Sequence, residues 1–318
     1  MRILLLGAGG YLGGHVAERL RARPGTTVLT GGRSPAADVP VDLAADRPGA
    51  LARVLTAAAP DAVVNCAGAT GGDAVHLAEV NARGPAALCA ALREAAPGAR
   101  LVHLGSAAEY GPGAPGRPAA ESDPCAPAGP YGATKLAGTV AVTASGLDAV
   151  VLRVGNPVGA GAPVTGLPGR VADLLAGLAG AGHVRGAGPG TEAERVLRLG
   201  DLSAYRDFVD VRDVARAVEL AVTAHGPVPP VLNVSGGEAV PVRELVRKLA
   251  DAAGFTGRID EGDGGGSDRS ARVSWQCSSV TAAREALGWR PVHSLDDSAA
   301  ALWAARAPAC LPEEVAAP

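Results

Sequence analysis

Apolar positions recur along the chain in two alternating rhythms. Ile3-Leu4-Leu5-Leu6 is a short unbroken apolar run, and a glycine-rich stretch follows it from Gly7 to Gly14. From Tyr11 onward Leu12, Val16 and Leu20 return at helical spacing. That is strand, glycine turn, helix. A second strand is predicted over 26–30 after Pro24-Gly25, and others at Ala62-Val63-Val64, Leu101 to Leu104 and Ala149 to Leu152. Helical spacing fills the intervals near 48–58, 74–96 and 129–145. Apolar strands alternating with helices predict a parallel sheet covered on both faces.

The rhythm breaks after residue 155. Residues 156–205 are rich in Gly and Pro and predict one helix, near 168–180. Phe208-Val209, a helix over 211–224 and a strand at Val231-Leu232 resume the pattern. Smaller helices are predicted at 241–253, 279–287 and 295–306, with Gly262 to Ser267 read as a loop over a site and Pro308 to Pro318 as a frayed tail. The expected fold class is α/β. A Rossmann-type doubly wound parallel sheet would take residues 1–155 plus 207–233, and a smaller discontinuous substrate domain 156–206 plus 234–318. Substrate would bind in the cleft between them.

Composition narrows the function classes. With 47% hydrophobic residues, the 318-residue chain has ample material for a core. The 29 Lys and Arg nearly balance the 32 Asp and Glu, which argues against a nucleic-acid binder driven by phosphate contacts. No apolar run reaches the ~18 residues of a membrane span, and the opening run is too short for a signal peptide. The five cysteines (Cys66, Cys89, Cys125, Cys277 and Cys310) are scattered and form no Cys-x-x-Cys. Neither a disulfide framework nor a zinc site is expected, and a reducing cytoplasm fits. The histidines show no metal-ligand spacing with a nearby carboxylate, so no metal is expected. Basic residues are almost all Arg; Lys135 and Lys248 are the only lysines.

Gly7-x-x-Gly10-x-x-Gly13 lies where a strand turns into a helix. The first glycine permits the tight turn, the second lets a pyrophosphate approach the backbone, and the third lets helix and strand pack closely. The pattern predicts a dinucleotide site. An acidic residue at the end of the second strand would bond a ribose 2′-hydroxyl, but the strand ends Thr30-Gly31-Gly32-Arg33-Ser34. Arg33 there reads as a clamp for a 2′-phosphate, so NADP(H) is expected over NAD(H), which stays possible. A solvated surface Arg is the plainer alternative. Asp42 and Leu43 should end the third strand, near the adenine.

Tyr131 and Lys135 are four residues apart at the start of a predicted helix, hence on one face about one turn apart. A free phenol titrates near 10, and a neighbouring ammonium favours its anion. Tyr131 would then exchange a proton with a substrate oxygen during hydride transfer, while Lys135 reaches the nicotinamide ribose. A position needing charge alone would read Arg in this chain, although Lys248 looks like an ordinary surface Lys. Ser106 follows a predicted strand and would point into the ligand crevice to bond the same substrate oxygen. A loop Ser capping its own backbone is the alternative.

Further motifs run in order along nearly the whole chain: Asn65-Cys66-Ala67-Gly68, Asn81, Gly105-Ser106 with Tyr110-Gly111, Arg153-x-x-Asn156-Pro157, Arg206 to Asp213, and Leu287-Gly288-Trp289-x-Pro291. Together these resemble the extended short-chain dehydrogenase/reductase family of nucleotide-sugar epimerases, dehydratases and reductases. The stretch Gly200 to Val214 looks most like the GDP-mannose dehydratase and GDP-4-keto-6-deoxymannose reductase branch. The resemblance implies a catalytic triad of Ser106, Tyr131 and Lys135. It implies cofactor contacts at Tyr11, Leu12, Cys66, Ala67, Gly68 and Asn81 beside the glycines. It also implies that Asn156 faces a substrate diphosphate and that Arg269, or Arg272, clamps it. Asp210 and Asp213 with Arg206 and Arg212 read as a structural charge network, with Arg206 still able to reach substrate.

A dehydratase of this family carries a carboxylate where Ala108 stands, and Glu109 is one residue late; on an extended segment that offset turns the side chain away. An epimerase usually retains NAD, against which Arg33 reads. The expected activity is therefore an NADPH-dependent ketoreductase of a nucleotide-activated 4-keto-6-deoxysugar, in deoxysugar biosynthesis of secondary metabolism. The alternatives are a nucleotide-sugar epimerase, a reductase of a non-nucleotide ketone such as a natural-product aglycone, and a non-catalytic NADP-sensing protein. Helices 74–96 and 129–145 would form a homodimer seam. No nucleic-acid or membrane partner is expected.

Overall fold

The computed structural model describes residues 1–181, 195–262 and 273–306. Its centre is a seven-stranded sheet built from β1 (Arg2–Leu6), β2 (Thr27–Gly32), β3 (Val39–Pro40), β4 (Ala62–Asn65), β5 (Arg100–Ser106), β6 (Ala149–Val154) and, after four short strands, β11 (Val231–Val234). The order is β11-β6-β5-β4-β1-β2-β3, and every neighbouring pair is parallel.

Strands covered on both faces need apolar residues in unbroken runs. Ile3, Leu4, Leu5, Leu6, Val63 and Val64 are at most 2% exposed. Alternate side chains point to opposite faces. Ile3 and Leu5 pack on α1 (Tyr11–Arg21) and α7 (Val211–Thr223), together with Ala283 and Trp289. Leu4 and Leu6 pack on α2 (Pro48–Ala58) and α4 (Gly84–Ala95), with Val142 of α5 (Pro130–Thr143).

The predicted helix over 74–96 is interrupted. It consists of α3 (Ala74–Ala78), a π-helical turn over Glu79–Arg83, and α4. Pro85 has no N–H for the carbonyl of Asn81 four residues back, so the regular ladder cannot pass. The Gly84 amide bonds Glu79 O instead, five residues back.

The segment after β6 holds more strand than expected. Residues 156–158 (β7) pair in parallel with 208–210 (β10), 205–206 (β9) pair antiparallel with 240–241 (β12), and 196–199 (β8) pair with 258–261 (β13). A third apolar cluster joins α6 (Leu167–Ala181), α8 (Val242–Ala252) and α10 (Leu295–Ala304) through Val171, Leu175, Leu245, Leu249 and Leu302. Val280, Ala283 and Trp289, around α9 (Thr281–Leu287), pack on the central sheet instead. No helix among the described residues is long and apolar enough to cross a membrane.

The strand order reverses between β1 and β4, and the crevice at such a point opens at the carboxyl ends of the strands. The chain leaves those ends at Gly7 and Cys66, held side by side by the Cys66 amide on Leu6 O at 3.0 Å.

Candidate active site

Gly7 has φ +81°, and a Cβ there would lie 2.6 Å from the Ala67 nitrogen. A Cβ on Gly13 would lie 2.0 Å from Gly7 O. Both glycines are therefore required by the crossing of β1, α1 and the Cys66-Ala67 segment. Gly10 is the N-cap of α1 and offers no side chain to its first amides, and the first turn holds no acidic residue. Those amides and the helix dipole are left for an anion. The cradle thus fits a dinucleotide pyrophosphate. Leu12 packs on the sheet. The Tyr11 hydroxyl donates to Gly159 O at 3.4 Å, and burial raises its pKa. His15 Nε2 lies 2.9 Å from Ala160 O. These two side chains tie α1 to the chain beyond β7.

At the other edge, Arg33 is exposed just past β2, and no ion pair engages it among the described residues. A carboxylate does come near β2 in space. Asp38 accepts from the Thr30 amide at 2.8 Å and its hydroxyl at 2.7 Å, so both Thr30 donors are taken up by it. Asp42 begins the loop after β3 and caps it, accepting from the Ala44 amide at 3.0 Å. Leu43 is buried in the second cluster.

Three loops converge on α5. Asn81, 1% exposed, accepts from Ala69 N at 2.9 Å and donates to Ala69 O at 2.8 Å, fixing the chain beside Gly68. It also reaches Thr134 Oγ1 at 3.3 Å, and that hydroxyl donates to Tyr131 O at 3.0 Å. The Asn81 carbonyl freed by Pro85 lies where a Cβ on Gly138 would be, 2.2 Å away. A Cβ on Gly132 would lie 2.4 Å from Ala108 O. Gly132 and Gly138 were not singled out in the sequence, yet they let the Tyr131 helix lie against the serine turn and the π-helical turn. Two glycines inside one helix, six residues apart, were the available signal.

Lys135 is 5% exposed and donates to the Leu104 carbonyl. Burial pushes its pKa down to about 8, against the opposing pull of Glu109 and Cys66. Its Nζ stands 3.9 Å from where a Cβ on Gly68 would sit. Below it, Asn65 accepts from Ala67 N at 3.0 Å, so its amide nitrogen faces His103 Nδ1 at 3.1 Å. That pairing leaves the His103 proton on Nε2, and burial with the Lys135 charge keeps the ring neutral. Burial also pushes the Cys66 thiol up to about 12.

Ser106 ends β5, and Ala107–Glu109 form a 3-10 turn, not an extended segment. The Ser106 hydroxyl accepts from Ala108 N at 3.2 Å, which leaves its own proton for another acceptor. Glu109 folds back as the other half of this capping box, accepting from Ser106 N at 2.8 Å. It is fully buried, bonded to Thr139 at 3.0 Å and to Arg153 Nε at 2.8 Å. The carboxylate is therefore consumed inside the protein, with Arg153 stacked 4.6 Å over the Tyr110 ring. The one-residue offset has the outcome expected of it, by a different local geometry.

Asn156 starts β7. Its side chain donates to Asp207 O at 3.1 Å and approaches Gln276 Oε1 at 3.5 Å. Gln276, which the sequence reading passed over, donates to Ala107 O at 2.9 Å, joining this region to the serine turn. Arg206 is 6% exposed and donates to Tyr205 O at 2.8 Å. The expected charge network takes another form: Asp210 caps α7 and pairs with Arg212, while Asp213 pairs with Arg216 and accepts from the amides of Val292 and His293. Arg269 and Arg272 lie outside the described residues. Among the described residues no cluster of His, Cys, Asp or Glu would hold a metal ion.

The buried ammonium has a stability consequence. Below pH 8 Lys135 is charged in both folded and unfolded states and carries its full desolvation cost, about 3 kcal/mol for a pKa brought from 10.5 to about 8. As pH rises from 8 to 10.5 the folded protein sheds the proton first and the cost fades. Lys135→Met should therefore match or exceed the parent in stability at pH 7, and the parent should gain on it by pH 10. Urea unfolding of both proteins at the two pH values checks this; a constant difference would refute it.

The NAD dependent epimerase/dehydratase family profile matches residues 3–235. The dTDP-6-deoxy-L-talose 4-dehydrogenase (NAD(P)(+)) of Kitasatospora kifunensis is 36% identical over 97% of this chain and 96% of its own length. The GDP-6-deoxy-D-mannose reductase of Pseudomonas aeruginosa is 29% identical over 79% of this chain and 80% of its own. In structure, the RMD of Pseudomonas aeruginosa complexed with NADPH superposes with a TM-score of 0.80 at 25% identity, covering 96% of this chain and 98% of that one. MoeE5 in complex with UDP-glucuronic acid and NAD gives 0.78 at 24% identity over the same shares, a likeness of fold. A glycine cradle that fits a dinucleotide, on this fold and with these relatives, makes the chain a member of the NAD dependent epimerase/dehydratase family, an NAD(P)-dependent enzyme of nucleotide sugars.

Proposed function

We propose that the chain is an NADP(H)-dependent 4-ketoreductase of a nucleotide-activated 4-keto-6-deoxyhexose, with thymidine diphosphate as the carrier. The burial of Glu109 carries this reading. Elimination of water needs a carboxylate beside the sugar, and the one acidic side chain of the serine turn is bonded to Ser106 N, Thr139 and Arg153. What remains at the crevice is a set suited to one carbonyl. The Kitasatospora relative acts at the 4-position of a dTDP-6-deoxysugar by name, and its reaction read in reverse is a 4-keto reduction.

The cofactor, when bound, supplies or accepts the hydride. Tyr131 delivers the proton to the C4 oxygen, and the Ser106 hydroxyl donates a hydrogen bond to the same oxygen. Lys135 sits one turn along α5 from Tyr131, and its ammonium favours the phenolate left behind. Its remaining N–H groups face the Gly68 side, where a ribose would lie. Arg33 holds a 2′-phosphate. Asn156 and Arg206, with Arg269 or Arg272, take the substrate diphosphate, between a cofactor domain of 1–155 plus 207–233 and a substrate domain of the remainder. A cytoplasmic setting agrees with the free thiols of Cys66, Cys89, Cys125 and Cys277.

The outer face of α5 supports a homodimer. Ala133, Ala137, Val140 and Ala144 are exposed along one stripe, with Val140 at 55% and Val75 of α3 at 66%. Lys135 is the sole charged residue of α5 and is buried. An exposed stripe of Ala and Val without charge is a surface suited to being covered.

The deciding assay mixes the protein with a dTDP-4-keto-6-deoxyhexose and NADPH. Consumption of NADPH equal to alcohol formed is expected; sugar isomerisation with no net change in NADPH would make the protein an epimerase. Tyr131→Phe should lower turnover about 100-fold or more with cofactor affinity retained, as read by fluorescence titration; parent-like turnover would remove Tyr131 from the mechanism. Arg33→Ala should weaken NADPH about tenfold and leave NADH unaffected; equal losses for both would refute the clamp. Ala137→Arg should convert a dimer to monomers by light scattering, and a parent that is itself monomeric would rule out the seam.

A further inference from the structure

Arg83 closes the π-helical turn, and its guanidinium meets four successive carbonyls of the loop after β3. Nη1 donates to Leu43 O at 3.1 Å and Ala44 O at 2.8 Å; Nη2 donates to Ala45 O at 3.4 Å and Asp46 O at 2.9 Å. The side chain is exposed, so this is a surface brace and not part of the core. The loop it grips is already compact: Asp46 accepts from Asp42 N at 2.8 Å and Asp46 N donates to Asp42 O at 2.7 Å. Val41 N donates to Gly32 O at 3.1 Å, which sets the loop beside Arg33.

Two residues earlier in the same turn, Asn81 grips Ala69 by both its donor and its acceptor. The two gripped loops leave β3 and β4, which are separated in the sheet by β2 and β1. Within the sheet the two strands are joined only through β1 and β2. The π-helical turn joins their loops a second time, with Asn81 on one and Arg83 on the other. A cofactor lying across the switch point has to reach from the loop after β3 to Gly68 and Lys135.

Resting on the cofactor reading above, we propose that Arg83 is a positioning residue for the adenosine half of the bound dinucleotide: it fixes the 42–46 loop against the turn that also fixes the nicotinamide side. An Arg suits this because its planar fork reaches several acceptors at once, which a lysine ammonium does not. The preorganised loop would otherwise lose order that binding must restore.

Arg83→Ala and Arg83→Lys test it, with Kd measured by calorimetry for adenosine 2′,5′-bisphosphate and for NADPH. Thermal unfolding establishes that both variants are folded. Arg83→Ala should weaken both ligands about tenfold and raise the KM for NADPH in step, while kcat at saturating NADPH stays at the parent value. Arg83→Lys should recover only part of the affinity. A folded Arg83→Ala that binds the adenosine fragment as the parent does overturns the brace alone, and so does a variant in which kcat falls while KM holds. A parent that binds neither ligand overturns the cofactor reading and this proposal with it.

Discussion

A helix that carries an ammonium into the interior can be held only where other backbone comes close enough to meet it. Lys135 is such a group, and its partner is the Leu104 carbonyl at the end of β5. Reaching it brings α5 against the face of the sheet over β5 and β6. Gly132 and Gly138 are the places where that approach would be blocked by any side chain, because Ala108 O and Asn81 O stand 2.4 and 2.2 Å from where a Cβ would be. The serine turn, the Ala69 loop and the Tyr131 turn are thereby referred to one another through backbone. Backbone contacts, not mobile side chains, set how α5 lies against these turns.

The same compactness decides what becomes of Glu109. A carboxylate 0% exposed needs its lone pairs satisfied and its charge matched. Ser106 N, Thr139 and Arg153 supply both, and Arg153 is steadied by the Tyr110 ring, whose hydroxyl donates to Asn233 Oδ1 at 2.8 Å. The network turns an acid into scaffold. It holds the backbone of Ser106 at the end of β5 and leaves that residue's hydroxyl proton outside the capping box.

What could be read from the residues was local or periodic. The strands of the sheet are apolar runs, and the glycine turn is legible because two of its glycines face backbone that no Cβ could share. Lysine usage was the weaker signal, since one of the two lysines is an ordinary surface residue. Lys248 lies in surface pairs with Asp296 at 2.8 Å and Glu244 at 3.5 Å, where charge alone matters. Lys135 is buried and meets the Leu104 carbonyl. The interrupted 74–96 helix was half legible, since Pro85 forbids the regular bond, but the outcome depended on Asn81 finding Ala69 across the fold. The 3-10 course of Ala107–Glu109 depended likewise on Arg153, 44 residues away. The bonds of Gln276 to Ala107 and of Arg83 to the 42–46 loop left no trace in spacing, because each is made between segments whose separation only the sheet defines.

Arginine's part in this chain is therefore largely architectural. Arg100 repeats the arrangement of Arg83 at the opposite end of the sheet. Its guanidinium donates to Ala221 O at 3.3 Å, Ala224 O at 2.6 Å and Gly226 O at 2.9 Å, and its Nε pairs with Asp148 at 2.8 Å. There it gathers a carbonyl from the last turn of α7 and two from the chain just past it, and ties them to the edge where β5 and β6 begin. One fork thus secures the amino edge of the sheet and another the carboxyl edge. The difference lies in what each loop borders: closure of a helix end in one case, the wall of the ligand crevice in the other. A guanidinium that grips carbonyls does the same physical work in both places, and its consequence for function follows from position within the fold.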